Sequence, residues 1–469
     1  MLAGQTDEGE EGQASEGGEE DSEKDSEEDS EDSEKGRGLN FLARMFTVHD
    51  GWKPALSLAF IATLASLNFI LASDAWPQMR GPSAQGISAA TGIAVQWSET
   101  EHITWKTAIP GEGWSSPVIA NGAIWITTAL ENGHSLHALK IDFISGKILA
   151  DVEVFSNEVV PIKHDRNSHA SPSPLIDGER VYVHFGSMGT ACLSTVDGHK
   201  LWENRTLKVD FLVGAGGSPA LWHDHLLLTC DGADQQFGVA LDKLTGKESW
   251  RAPRTATDRL QKKAADARKS FGTPIIFTID GAEQCLTAAA ERLYANDPET
   301  GKELWYVDYT GYSNASIPVS DGKMLILLTG FNHSEVWGIQ VGDAKGDVTA
   351  THVAWKTKFT GLSQSSPLLI DGRVYVVNDS GILLCLESAS GKMLWKERIG
   401  PDFAASPIYV DGHMYFFDAR GKATVIEPGP TMKVIATNQL DDGWMASPAV
   451  VGKSLIVRSK KSLYRIDGK

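Results

Sequence analysis

The sequence predicts an all-β fold, an eight-bladed β-propeller of four-stranded antiparallel blades closed by an N-terminal strand that completes the last blade. Three observations predict it. A small residue followed by proline and alternating apolar positions recurs eight times, at Ser116-Pro117, Ser173-Pro174, Ser218-Pro219, Thr273-Pro274, Ile317-Pro318, Ser366-Pro367, Ser406-Pro407 and Ser447-Pro448. The prolines stand 57, 45, 55, 44, 49, 40 and 41 residues apart, room for four short strands and close to the ~40–50 residues of a propeller blade. The ends are complementary: Ile103 to Thr107 has the form of a fourth strand with no blade before it, and Leu463 to Asp467 that of a third strand with none after it. A clasp between them hides both sheet edges and ties the ring shut.

Inside each unit the order is steady. After the proline strand comes a turn such as Asn121-Gly122, Asp177-Gly178, Asp371-Gly372 or Asp411-Gly412, and Asn-Gly or Asp-Gly between alternating apolar runs is a strong hairpin signal. A third strand follows, then a Gly-Lys turn (Gly146, Gly246, Gly301, Gly391), then a fourth strand carrying Trp202, Trp250, Trp305, Trp355 or Trp395. The fixed place of these tryptophans predicts packing between adjacent blades. Residues Asp258 to Lys269 read as a helical or irregular surface insertion.

Two segments precede the propeller, which is assigned to residues 76–469. Residues 1–44 form an acidic tail, expected to be disordered or to reflect a start codon assigned upstream of Met45. Residues 1–36 hold sixteen acids and two lysines, a local charge of -14 that leaves -4 of the total -18 for the rest. So little apolar surface cannot offset ordering entropy. Residues 45–75 are expected to be a signal peptide or signal anchor: Pro54 to Ala72 is uncharged, with Lys35, Arg37, Arg44 and Lys53 on its N-terminal side, which sends the C-terminal bulk across the membrane. Membrane contact is then confined to residues 54–72, if they stay uncleaved.

Charge and cysteine content exclude several classes. A net -18 makes nucleic acid an unsuitable partner, because neutralising phosphates needs a basic surface. Four cysteines (Cys192, Cys230, Cys285, Cys385), none closer than 38 residues to the next, exclude a disulfide scaffold and a cysteine-rich zinc site. Cys192 and Cys385 stand ten residues before Trp202 and Trp395, as Ala240 does before Trp250, so they fill a small-residue packing slot.

The pattern Ser-Pro, apolar alternation, Asp-Gly, then Ala240-Leu241-Asp242-Lys243-Leu244-Thr245-Gly246-Lys247-Glu248-Ser249-Trp250 resembles the pyrroloquinoline-quinone (PQQ)-type β-propeller repeat over about residues 97 to 467. With the opening Trp76-Pro77-Gln78-Met79-Arg80-Gly81-Pro82, the layout is similar to exported PQQ-like repeat proteins of planctomycete-type bacteria and to non-enzymatic BamB-like propellers. The resemblance implies an exported propeller of the periplasm or cell envelope, acting as a binding or scaffold module for a protein or glycan partner. Its other branch implies a dehydrogenase that oxidises an alcohol or sugar with PQQ and calcium. The sequence departs from that branch: no two cysteines are adjacent, no CxxCH haem site exists, and no Glu, Asn and Asp set matches its calcium ligands. No cofactor is assigned on this basis.

Candidate site residues come from loops that precede the proline strands, which a propeller gathers at its central channel. Trp114 and Trp444 stand beside Gly113 and Gly443 as candidate ligand contacts. Lys163 to His169 places His164 and His169 around an aspartate, which suits a transition metal or a tuned general base. Asp231, Asp234 and Gln235 cluster oxygens that could hold calcium, although EF-hand spacing is absent. Tyr312, Asn314 and Gln364 offer stacking and amide hydrogen bonds, and Arg268 a quinone contact. If the chain is catalytic, His169 and Asp231 are the candidate bases.

Overall fold

Alternating apolar residues between left-handed turns give short extended segments, and each successive four fold back as one antiparallel sheet. The computed structural model describes residues 75–469, so residues 1–44 and all but the last residue of the segment expected to be a signal peptide or signal anchor lie outside the described residues. No helix among the described residues is long and apolar enough to cross a membrane. The strands pair into eight sheets, one per proline motif. Blade 1 comprises Val118–Ala120, Ala123–Leu130, Ser135–Asp142 and Ile148–Ser156, bonded in that order. Blades 2, 3 and 4 open with Leu175–Asp177, Ala220–Trp222 and Ile275–Ile279. Blades 5, 6 and 7 open with Val319–Ser320, Leu368–Ile370 and Ile408–Val410. Blade 4 gains a fifth strand that the four-strand repeat does not predict: Gly346–Asp347, from the long excursion inside blade 5, runs parallel to Glu303–Asp308.

Closure follows the complementary ends. Blade 8 takes Ala449–Val451, Ser454–Arg458 and Ser462–Asp467 from the C-terminus, and its outer strand is Ile103–Ala108, antiparallel to Ser462–Asp467.

The core is distributed between the blades. One apolar cluster joins Val118, Trp125 and Leu136 of blade 1 to Val181, Val183 and Leu193 of blade 2, and another joins Tyr182 and Cys192 of blade 2 to Leu226 and Val239 of blade 3. The Gly-Lys turn is part of this packing. A Cβ at Gly246 of blade 3 would lie 2.4 Å from the Trp202 ring of blade 2, and the same approach recurs at Gly301 on Trp250, Gly391 on Trp355 and Gly146 on Trp105. The Trp202 indole N–H donates to Lys243 O at 2.9 Å, and Asn204 donates to Gly246 O at 2.8 Å. The glycine and the tryptophan are thus two halves of one contact, each repeated because the interface is repeated.

The Ser-Pro motif has its own physical reason. Around the hub the backbone N–H of one motif donates to the hydroxyl of the next. Ser116 donates to Ser173 Oγ (2.8 Å), Ser173 to Ser218 (2.9 Å), and Ser218 to Thr273 (3.0 Å). Ile317 donates to Ser366 (3.0 Å), Ser366 to Ser406 (2.9 Å), Ser406 to Ser447 (2.9 Å), and Ser447 back to Ser116 (3.0 Å). The belt lacks a link only where Ile317 replaces the hydroxyl residue; there Phe271 N–H donates to Asn314 O at 2.8 Å instead.

Residues 76–98 cross the hub at the opposite end of the inner strands. Trp76 bridges Ile119 of blade 1, Pro77 O accepts from Ile176 of blade 2, and Gln85 Oε1 accepts from Ser320 of blade 5. Gly86 and Ser88 bond Tyr409 of blade 7. At its centre Arg80, fully buried, donates to the carbonyls of Ala84, Gln85 and Pro367 at 3.2, 2.6 and 2.7 Å. The Trp-Pro-Gln-Met-Arg-Gly-Pro opening is therefore a plug for one end of the channel.

Candidate functional site

With one end plugged, the loops before the proline strands enclose a funnel at the other. It is a cavity of about 550 Å³ to which all eight blade-entry loops contribute, within the range of small-molecule sites. Its floor is the belt, with Ser116, Ser173, Thr273, Ser406 and Ser447 at the wall and Met79 of the plug beneath. Higher up stand Trp114, Phe271 and Phe331, with the amides of Asn167 and Gln364.

The charged residues of the funnel largely engage one another. The Lys269 ammonium, on a side chain only 3% exposed, pairs with Asp266, and both come from the insertion before blade 4. Asp379 accepts the Ser363 hydroxyl, and burial pushes its carboxyl up from the ordinary range. Arg166 reaches across the mouth, donating to Asp402 Oδ1 at 2.9 Å and to Gln364 Oε1 at 3.2 Å. Its loop is tied at the base by Asn167, whose amide donates to the carbonyls of Val213 and Ala215.

Of the residues singled out in the sequence, Trp114, His164 and Gln364 line this funnel. Others are placed elsewhere. His169 lines a separate cavity of about 320 Å³ between the loops around blades 2 and 3, together with Asp234. Burial lowers the pKa of His169. Asp234 Oδ1 accepts the Asp210 N–H at 2.9 Å, and the Gln235 amide donates to Lys208 O, so both tie a hairpin to its neighbouring loop. Asp231 is buried and takes a two-pronged ion pair from Arg254, at 2.9 and 3.1 Å. Arg268 spends its guanidinium on Lys263 O, Gln261 and Ala233 O. Tyr312 packs edge-on against Phe331, and Asn314, fully buried, holds Leu328 O and the Ser316 N–H. Trp444 is fully buried against Phe417. The funnel-facing residues of those loops are instead Lys269, Ser313 and Met445, one position along from Arg268, Tyr312 and Trp444.

A second constellation was not apparent from sequence spacing. On the outer part of blade 1, Ser135 Oγ lies 2.7 Å from His137 Nε2, and His137 Nδ1 lies 2.6 Å from Asp151. This is the connectivity of a nucleophile, a base and an orienting carboxylate. Glu153 also takes the Ser135 hydroxyl, at 2.8 Å. The hydroxyl has one hydrogen, and given to Glu153 it is not available to a base at His137.

A PQQ and calcium set does not fit the funnel. Calcium takes six to eight oxygen ligands, carboxylates prominent among them. Here Asp266 is held by Lys269 and Asp379 by Ser363, and among the described residues no three His, Cys, Asp or Glu side chains converge on one point.

Fold and site together define an eight-bladed propeller with a plugged channel and a hydroxyl-floored funnel. The chain belongs to the family described as outer membrane protein assembly factor BamB, matched over residues 146–327, 289–437 and 343–469. It is similar in structure to BamB from Moraxella catarrhalis, with 12% identity, 77% of this chain and 99% of that chain covered, and a TM-score of 0.53. A europium-containing methanol dehydrogenase matches at 13% identity, 84% and 91% coverage and a TM-score of 0.61. The quinohemoprotein alcohol dehydrogenase of Comamonas testosteroni matches at 12%, 85% and 82%, and 0.60. At these identities the likeness speaks for the fold. Comparison with curated proteins finds no match.

Proposed function

We propose that this chain is an exported binding module of the cell envelope whose funnel face holds a protein or glycan partner. The observation that carries this reading is the state of the funnel's acids: Asp266 and Asp379 are engaged by Lys269 and Ser363 of the chain itself. The wall otherwise offers hydroxyls, amides and aromatic faces together with His164 and Arg166, groups that recognise a ligand by hydrogen bonding, charge and stacking. Membership of a family described as an assembly factor supports a protein-binding role.

The test is calorimetric titration of the full chain with PQQ, with and without calcium, followed by dye reduction across alcohols and sugars. The expected result is no calcium-dependent binding and no turnover, with crosslinking to an envelope partner abolished by bulky substitution at Ser313 or Gln364. Tight calcium-dependent PQQ binding with turnover would overturn the proposal in favour of a dehydrogenase.

A further inference from the structure

The hydroxyls at the funnel floor each accept one hydrogen bond from the neighbouring blade. That uses oxygen lone pairs and leaves the hydroxyl hydrogens. For Ser116, Ser173, Thr273, Ser406 and Ser447 no acceptor for that hydrogen lies among the described residues, and all five line the cavity while no more than 6% exposed. A buried hydroxyl with an unused hydrogen is a donor waiting for an acceptor. Five of them line the same cavity at the hub.

Two buried cations flank the belt. Arg80 lies beneath the motifs of blades 6 and 7, bonded to Pro367 O, next to Ser366. Arg458 of blade 8 lies beside Ser116, donating to Ser115 O (3.1 Å), Ser115 Oγ (2.6 Å) and Thr127 O (2.9 Å). Both are at most 2% exposed, and every acceptor is neutral. Burial lowers each guanidinium to about 9, with no carboxylate holding it up. Buried charge without a counter-charge is costly, and an anion nearby relieves it. The funnel's acids do not serve, since neither Asp266 nor Asp379 is bonded to either guanidinium.

We propose that the floor of the funnel is an oxyanion site, in which the hydroxyl belt donates into a carboxylate, sulfate or phosphate group of the bound ligand. The proposal rests on the reading of the funnel as the binding face. Trp114, Phe271 and Phe331 then contact the rest of the ligand.

The test titrates acetate, sulfate and inorganic phosphate into the full chain at constant ionic strength, with chloride as background, followed by calorimetry and melting temperature. Saturable one-to-one binding is expected, weakened about tenfold or more by Thr273→Val, as the loss of one hydrogen bond to a charged group implies. Thr273→Ser should restore it. Preference for acetate assigns a carboxylate ligand, and preference for sulfate or phosphate assigns an ester; either supports the site. No saturable response to any of the three, or equal binding by Thr273→Val, overturns it. If Thr273→Val does not fold, selenate soaked into crystals of the unaltered chain decides. An anomalous peak on the belt within hydrogen-bond distance of Thr273 supports the site, and its absence there overturns it. Partner crosslinking without anion binding removes the oxyanion site and leaves the binding-module reading standing.

Discussion

Asp231 shows why a carboxylate after a strand is ambiguous in a sequence. Its side chain is 1% exposed and that of Arg254 is 3% exposed, so the pair has left water altogether. Burial pushes the Asp231 carboxyl up against the pull of Arg254. Removing one partner strands the other, which costs about 3–5 kcal/mol for a buried pair. Arg254→Met is therefore expected to lower the unfolding free energy from denaturant titration by that amount, and a change below about 1 kcal/mol would show that the site relaxes around the bare carboxylate. The cysteines behave alike. All four are buried, and burial pushes the thiols of Cys192, Cys285 and Cys385 up to about 11 and that of Cys230 higher still. Thiolate is the reactive form, so iodoacetamide at pH 8 is expected to leave the native chain unmodified and to label four sites after unfolding. Labelling of the native chain at a single site would identify a blade that opens.

At the scale of the blade, one contact accounts for two of the sequence signals. Gly246 has φ +69° and would place a Cβ 2.4 Å from Trp202, whereas Gly281, at φ +78°, has nothing within 4 Å of that position. Gly281→Ala then measures the left-handed backbone cost alone, about 1–2 kcal/mol, and Gly246→Ala adds displacement of the tryptophan, typically about 1–3 kcal/mol more. Equal losses by thermal unfolding would mean that the Trp202 contact contributes nothing. This pairing also explains what was legible in the sequence. Ser-Pro, Asp-Gly, Gly-Lys and Trp recur because every blade meets its neighbours in the same way, so blade number, strand order and the clasp could be read directly. The fifth strand of blade 4 could not, since Gly346–Asp347 is a two-residue addition outside the repeat. The funnel could be read only as a set of loops. Loop side chains follow no period, and a difference of one residue turns Lys269, Ser313 and Met445 inward while Arg268, Tyr312 and Trp444 bond or pack elsewhere.

The whole ring is held by three devices that act at different radii: the hydroxyl belt at the hub, the plug of residues 76–98 across one end, and the clasp of Ile103–Ala108 on Ser462–Asp467. The belt is built from neutral groups, and the plug has a carboxylate only where Asp411 accepts the Gly92 and Ile93 N–H groups, whereas the clasp has one that links three strands. Asp467 accepts from Thr104 Oγ1 at 2.6 Å, Ser454 Oγ at 2.6 Å and Arg465 Nε at 2.9 Å, thereby joining the N-terminal strand to the last two strands of the chain. Burial alone would raise its pKa, but the Arg465 guanidinium and the two hydroxyls hold it below the ordinary aspartate value. A depressed folded pKa contributes stability that is present above the unfolded value, about 3.9, and is lost as pH falls through the folded one. Asp467→Asn removes the charge at every pH, so the variant is expected to be less stable than the unaltered chain at pH 7. That gap should narrow steadily as the pH is lowered below about 4, where the native carboxyl also gains its proton. Urea midpoints of the two chains across pH 3 to 7 measure the gap. A difference that stays constant through that range would place the contribution of Asp467 in the geometry of its hydrogen bonds and not in its charge, and ring closure would then be insensitive to acid at this joint.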